Sequence, residues 1–165
     1  MERGGVNWLD PLEMRAWRSL LTAHAHLLAR LDAELQASSS TSVADYAVLV
    51  HLSEADGGHM RMSELAEILN LSPSGLTRRL DGLVLGGYVE RTKCPTDRRG
   101  AYAALTELGR KRLEEVAPSH LEQVRRNFID RLDRSQLEAL VDSLSVLIDA
   151  PFPEPVSEVV AGHAP

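Results

Sequence analysis

The run Met62-Ser63-Glu64-Leu65-Ala66-Glu67-Ile68-Leu69-Asn70-Leu71-Ser72-Pro73-Ser74-Gly75-Leu76-Thr77-Arg78-Arg79-Leu80 reads as two short helices with almost nothing between them. The first opens at Ser63, carries Glu64 in its first turn, and turns Leu65, Ile68 and Leu69 inward. Asn70-Leu71 makes the turn. Ser72 is then the N-cap of the second helix. Pro73 takes the first helical position, where a missing N–H costs nothing because that group has no intrahelical partner. This helix runs to about Leu85, and Gly86-Gly87 stops it. Two short helices joined so tightly predict a helix-turn-helix.

On a wheel of about 3.6 residues per turn, Leu76, Leu80 and Leu83 cluster on one side of the second helix. Ser74, Arg78 and Asp81 lie opposite, with Gly75 and Thr77 on the flanks. The outward N-terminal half thus offers small hydroxyls, an uncovered backbone and an arginine. A helix that enters the major groove uses these groups: arginine pairs with guanine, and Ser or Thr reaches bases or phosphates. Glycine lets the backbone come close. Ser72, Ser74, Gly75, Thr77 and Arg78 are therefore candidate DNA contacts. Arg79 lies nearer the core edge, which suits a phosphate better than a base. In isolation, a good helix start with a solvated arginine face has the same appearance; the downstream chain decides between the two.

Downstream, Tyr88-Val89-Glu90-Arg91 alternates like a strand, and Tyr102 to Leu105 can pair with it. The intervening Lys93-Cys94-Pro95-Thr96-Asp97-Arg98-Arg99-Gly100 holds turn formers and basic residues, so the pair predicts a two-stranded β-wing. Arg98 and Arg99 at its tip suit the narrow, negative minor groove. Asp97 can orient an arginine there through a charge-assisted bond.

The flanks read as helices. Asp10-Pro11 is an N-cap and N1 pair for a first helix, which the run Ser38–Thr41 breaks. Ser42 with Asp45 caps a second, whose inward stripe is Tyr46, Leu49 and Leu52. Thr106 caps a helix to about Val116, and Pro118 interrupts it. A further helix spans about Ser119 to Leu132, and Asp133 with Gln136 caps the last, with Leu137, Leu140, Val141, Leu144 and Ile148 on one face. The fold class is mainly α: a winged helix-turn-helix over about residues 42–109, flanked by N- and C-terminal dimerisation helices at about 11–36 and 119–149. These form one domain over 1–150, and the Pro-rich 151–165 is expected to be a disordered tail.

Apolar residues make up 44% of the 165 and aromatics only 4%, which suits a helical core of Leu, Ala, Val and Ile. The net charge of −6 is unevenly placed: His59–Arg112 holds ten Lys/Arg against six Asp/Glu, a surplus of four, so the remainder carries −10. A basic island on an acidic body is the footprint of a local phosphate-facing surface. There is no apolar run of roughly 18 residues or more, no signal-peptide core at the N-terminus, and a single cysteine, Cys94. The expectation is a cytoplasmic protein with no membrane partner. His24 and His26 point in different directions on a helix, and the histidines show no ligand spacing, so neither metal nor cofactor is expected. Cys94 reads as an incidental exposed thiol. An enzyme is disfavoured by the lack of a nucleophile–base pair or phosphate loop. A degenerate interaction module would have lost its basic residues first, whereas Arg78, Arg79, Arg98 and Arg99 are all present.

The segments Met62-Ser63-Glu64-Leu65-Ala66, Leu71–Arg78, Asp97-Arg98-Arg99 and Leu105-Thr106-Glu107-Leu108-Gly109 together resemble the MarR family, the multiple-antibiotic-resistance-type regulators. Trp8-Leu9-Asp10 and Ala16-Trp17-Arg18 resemble its actinobacterial branch. The likeness extends over about Leu12 to Ile148. It implies a homodimeric, sequence-specific transcription regulator, a ligand-responsive repressor on a pseudo-palindromic operator in double-stranded DNA. Arg99 takes the place of the family's wing arginine and Asp97 that of its partner. The resemblance also implies a small, often phenolic effector between the dimer helices and the DNA-binding lobe. Trp17, His24 and His51 are the lining candidates. The terminal helices independently carry more apolar length than a small winged domain can use, which predicts that they interlock between subunits.

Overall fold

The computed structural model describes residues 7–93 and 101–147. Cys94, Asp97, Arg98 and Arg99, and the tail expected at 151–165, lie outside the described residues. In chain order the elements are α1 (Pro11–Ser39), α2 (Val43–Glu54), β1 (His59–Arg61), α3 (Met62–Ile68), α4 (Pro73–Leu85), β2 (Val89–Lys93), β3 (Ala101–Leu105), α5 (Glu107–Asn127) and α6 (Arg134–Ser145).

The helix starts follow from their caps. Asp10 accepts from the Leu12 and Glu13 amides, and its own amide donates to Glu13 at 2.7 Å, a reciprocal capping box. Ser42 Oγ accepts from the Asp45 amide at 3.0 Å and donates to the Asp45 carboxylate at 2.6 Å. Asp133 and Gln136 close a second reciprocal box at α6. α1 passes through Ser38 and ends at Ser39, where Ser40 turns left-handed with φ 53°. The Ser38 and Ser39 hydroxyls both donate to the Leu35 carbonyl, the local competition that ends helices. α3 starts one residue earlier than its sequence suggested, with Arg61 as its cap.

The structure departs from the sequence reading at several points. The wing hairpin pairs as expected, Val89 opposite Leu105 and Thr92 opposite Tyr102, but β1 adds a third antiparallel strand, in the order β1-β3-β2. Three residues are too few to show periodicity, and their partners lie some forty positions away in the chain. The second departure is Pro118, which does not interrupt its helix: α5 is continuous from Glu107 to Asn127. Pro118 and Glu114, whose carbonyl loses its partner, are both exposed, so water can serve that carbonyl. The opposite face buries Leu113, Val116, Gln123 and Asn127, and that burial holds the helix together across the proline. The segment expected as a helix to Leu132 instead ends at Asn127, with a 3-10 turn at Ile129–Arg131 before α6.

One core joins the elements: Leu35 from α1, Val48, Leu49 and Leu52 from α2, Leu65 from α3, Leu76, Leu80 and Leu83 from α4, Val89, Ala103, Leu113 and Val116. The ends of the chain contribute little to it. α1 buries only Leu31 and Leu35 of its 29 residues, and α6 buries none. No helix among the described residues is long and apolar enough to cross a membrane.

Candidate nucleic-acid interface

α4 is positioned from both ends and from beneath. Asn70 takes a left-handed φ of 51°, which lets the chain reverse between α3 and α4 within the four residues 69–72. Ser72 Oγ accepts from the Gly75 amide at 3.1 Å, and Pro73 sits in the first turn. At the far end Gly87 is left-handed with φ 74°, and the Gly87 and Tyr88 amides donate to the carbonyls of Val84 and Leu83. Leu76 and Leu80 are fully buried and Leu83 nearly so. Each such leucine contributes about 1.5–3 kcal/mol, so the inner face alone fixes the helix.

The outer face is then free for other work. Ser72, Ser74, Thr77 and Arg78 are exposed, and Arg78 forms no ion pair among the described residues. Ser72 and Ser74 hydroxyls stand 3.2 Å apart, and the Thr77 hydroxyl donates to the Pro73 carbonyl at 2.9 Å. These bonds orient the hydroxyls while leaving oxygen lone pairs outward. Gly75 has a second reason to be glycine: a Cβ there would meet the Ser72 capping oxygen at 3.1 Å.

Arg79 is placed differently from Arg78. Its Nη1 lies 3.2 Å from Asp45 Oδ1, in the first turn of α2, and 3.5 Å from Ser42 Oγ. The side chain sequence reasoning put at the core edge is thus tied to a neighbouring helix. Asp81, on the outer face, is held by Arg91 of β2 at 2.8 Å, and the same guanidinium nitrogen donates to the Thr77 carbonyl at 2.7 Å.

The start of α5 locks the wing to α4. Thr106 Oγ1 accepts from the Gly109 amide at 2.9 Å as the helix cap and donates to the Gly87 carbonyl at 2.7 Å. A Cβ at Gly109 would collide with the Tyr88 carbonyl oxygen. The spacing Leu-Thr-x-x-Gly is therefore a joint between α4, β2 and α5. Arg112 extends that joint to the other side, donating to the Ser39 carbonyl and to Thr41 Oγ1. Sequence reasoning missed both Arg91 and Arg112. The Arg91 partners lie 10 and 14 positions away, and the Ser39 and Thr41 acceptors of Arg112 lie 73 and 71 away; its near neighbour Glu115, at 3.5 Å, does not reveal them.

The three effector candidates lie on α1 and α2. Trp17 is 52% exposed on α1, His24 is exposed on the same helix, and His51 is half-buried on α2. A cavity of about 220 Å³ opens among Thr41, Asp45, Gly82, Tyr88 and Arg112, and none of the three lines it. His120 of α5 packs on Tyr46 of α2, ring centroids 4.5 Å apart. Burial pushes the His120 pKa down. Burial, and then the Glu54 carboxylate, pushes that of Tyr46 up.

Comparison with known proteins gives consistent matches. Residues 39–100 match the model of the MarR family. AbsC, a MarR family transcriptional regulator from Streptomyces coelicolor, is 38% identical with a TM-score of 0.80, over 86% of this chain and 95% of that one. Sco3205, another MarR family transcriptional regulator from that organism, solved in complex with DNA, is 34% identical with a TM-score of 0.80, over 85% and 91%. Among curated proteins, the transcriptional repressor MprA of Escherichia coli is 29% identical over 114 residues, 58% of this chain and 65% of that repressor. The chain therefore aligns with just under two thirds of that repressor's length.

Proposed function

The chain belongs to the MarR family, and from that premise we propose that it regulates transcription by binding double-stranded DNA sequence-specifically as a homodimer. The observation that carries the reading is the division of α4. Its buried leucines fix it from inside, while on its N-terminal half Arg78 stands exposed beside the exposed, hydrogen-bonded hydroxyls of Ser74 and Thr77. The N-terminal half enters the major groove. Arg78 reads a guanine, and Ser72, Ser74, Gly75 and Thr77 make close contacts to base edges and phosphates. Arg79 serves a phosphate if it exchanges Asp45 for one. The wing residues Asp97, Arg98 and Arg99 reach the adjacent minor groove, with Asp97 orienting an arginine. A Streptomyces relative solved in complex with DNA supports this reading.

The homodimer is supported by the terminal helices. α6 buries nothing within its own chain, and Leu12, Trp17, Leu20, Leu21 and Leu28 of α1 are exposed together. Covering such faces with a second copy places two α4 helices on one duplex, about 34–36 Å apart, so the operator is pseudo-palindromic. A bound dimer blocks polymerase without further parts, which favours repression. A small phenolic effector between the dimer helices and the DNA-binding lobe, near Trp17, His24 and His51, releases it by population shift.

The test is retention of a randomised duplex pool by the full chain across a salt series. Sequence enrichment with a steeply falling affinity supports the reading. A pool recovered unchanged at every salt concentration contradicts it.

A further inference from the structure

β2 carries one arginine whose partners lie on α4. Arg91 stands opposite Ala103 of β3, and Ala103 stands opposite Met60 of β1; Ala103 is fully buried. Residues at one pairing level share a face of the sheet, so Arg91 leaves the sheet on its inner side. There its Nη2 donates to the Thr77 carbonyl at 2.7 Å and the Asp81 carboxylate at 2.8 Å. These acceptors are one helical turn apart and bracket Arg78. One guanidinium thus grips the helix at two points beside its outward arginine.

Stability is a weak reason for this bridge. Asp81 is 60% exposed and Arg91 34%, and ion pairs so open to water stabilise a fold little. An acidic residue on the outer face of a DNA-facing helix also repels phosphate. Its presence there calls for a return of another kind. The bridge supplies one: it removes a hinge between the wing strands and α4, which must meet one duplex at a fixed mutual angle. Contact groups work only when their supports hold them in register.

We propose that Arg91 is a positioning residue for DNA recognition, acting through Thr77 and Asp81 to set the angle between the wing sheet and α4. The proposal rests on the DNA-binding reading above. Its rival is a direct phosphate contact by Arg91, and the two differ in sign at Asp81. Asp81→Asn removes a negative charge near DNA, so electrostatics alone tightens binding to every duplex. Loss of positioning instead weakens binding to the preferred duplex and leaves mixed-sequence DNA unchanged or tighter.

The experiment compares the full-length wild type, Asp81→Asn and Arg91→Ala. The probes are a duplex selected by the wild type from a randomised pool and a mixed-sequence duplex, each over a salt series. Both variants are expected to lower the ratio of selected to mixed affinity on the order of tenfold, the scale of one mismatched base pair. The salt slope of Arg91→Ala should match that of the wild type. An Asp81→Asn protein with an unchanged or higher ratio overturns the proposal, as does a slope for Arg91→Ala smaller by about one unit. A wild type with no preferred duplex removes the DNA-binding reading itself, a failure visible before any variant is made.

Discussion

Arg79 of α4 reaches back to Asp45 in the first turn of α2, 3.2 Å between guanidinium and carboxylate, while Arg78 beside it stands exposed. Two adjacent arginines therefore have different work. Arg78→Ala is expected to cost about 1–3 kcal/mol on the preferred duplex and to relax preference at one base pair per half-site, with no change in melting temperature. Arg79→Ala is expected to lower stability by at most about 1 kcal/mol, since the pair is about one-third exposed, and to leave base preference intact. Paired DNA titrations and thermal melts check both. Equal weakening by Arg78→Ala on all sequences would assign it to a phosphate.

Two glycines should respond oppositely to alanine. At Gly109 a Cβ collides with the Tyr88 carbonyl and comes within 2.7 Å of Leu105 Cδ1, so the joint between α4, β2 and α5 must open. Gly109→Ala should destabilise by about 1–3 kcal/mol or more, as overpacking against backbone does. At Gly82 in α4 nothing lies within 4 Å of a Cβ. Gly82→Ala should stabilise by about 0.5–1 kcal/mol through helix propensity. Urea denaturation of both variants reads the two signs.

The exposed apolar faces of α1 and α6 give a prediction about mass. The chain of 18.1 kDa should scatter light as a species of twice that mass at micromolar concentration. Leu20→Glu combined with Val141→Glu places a charge on each face, both residues being exposed in the single chain. This double variant should shift the mass toward the monomer with α2 to β3 still folded. A wild-type monomer contradicts the dimer.

His120 makes stability depend on pH. Its Nδ1 is buried without a partner among the described residues, and burial lowers its pKa below the ordinary 6.5. Unfolded chain therefore takes up the proton first on acidification. The stabilisation from neutral His120 is complete above pH 6.5 and is lost as pH falls from there toward the lowered value. Its ring partner Tyr46, raised above the ordinary 10.0, stays neutral throughout. His120→Gln should flatten the fall in denaturation midpoint between about pH 7 and about pH 5. Identical pH profiles for variant and wild type would show that the histidine carries no linkage.

The parts of this molecule legible in its sequence were those set by near neighbours. Leu76, Leu80 and Leu83 separate from Ser74 and Arg78 by helical period alone, and Asp10, Ser42, Ser72, Thr106 and Asp133 announce helix starts. Distant packing was not legible. Pro118 obeys a local rule that burial on the opposite face of α5 overrides, and β1 exists because β3 offers it an edge. Arg79, Arg91 and Arg112 were equivalent basic residues until the fold brought Asp45, Asp81 and Thr41 to them. The charge surplus between His59 and Arg112 located the basic segment without distinguishing arginines that bind partners within the chain from Arg78, which faces outward.

Two copies of α4 that read DNA through the face bearing Ser74 and Arg78 must leave their mark on the sequence content of DNA selected by the full chain. The expected result is enrichment of an inverted repeat with half-site centres about one helical turn, roughly 10–10.5 base pairs, apart, and loss of one base preference in each half-site for Arg78→Ala. Selection of unrelated sequences with no repeat, or a preference that Arg78→Ala leaves intact, would contradict it.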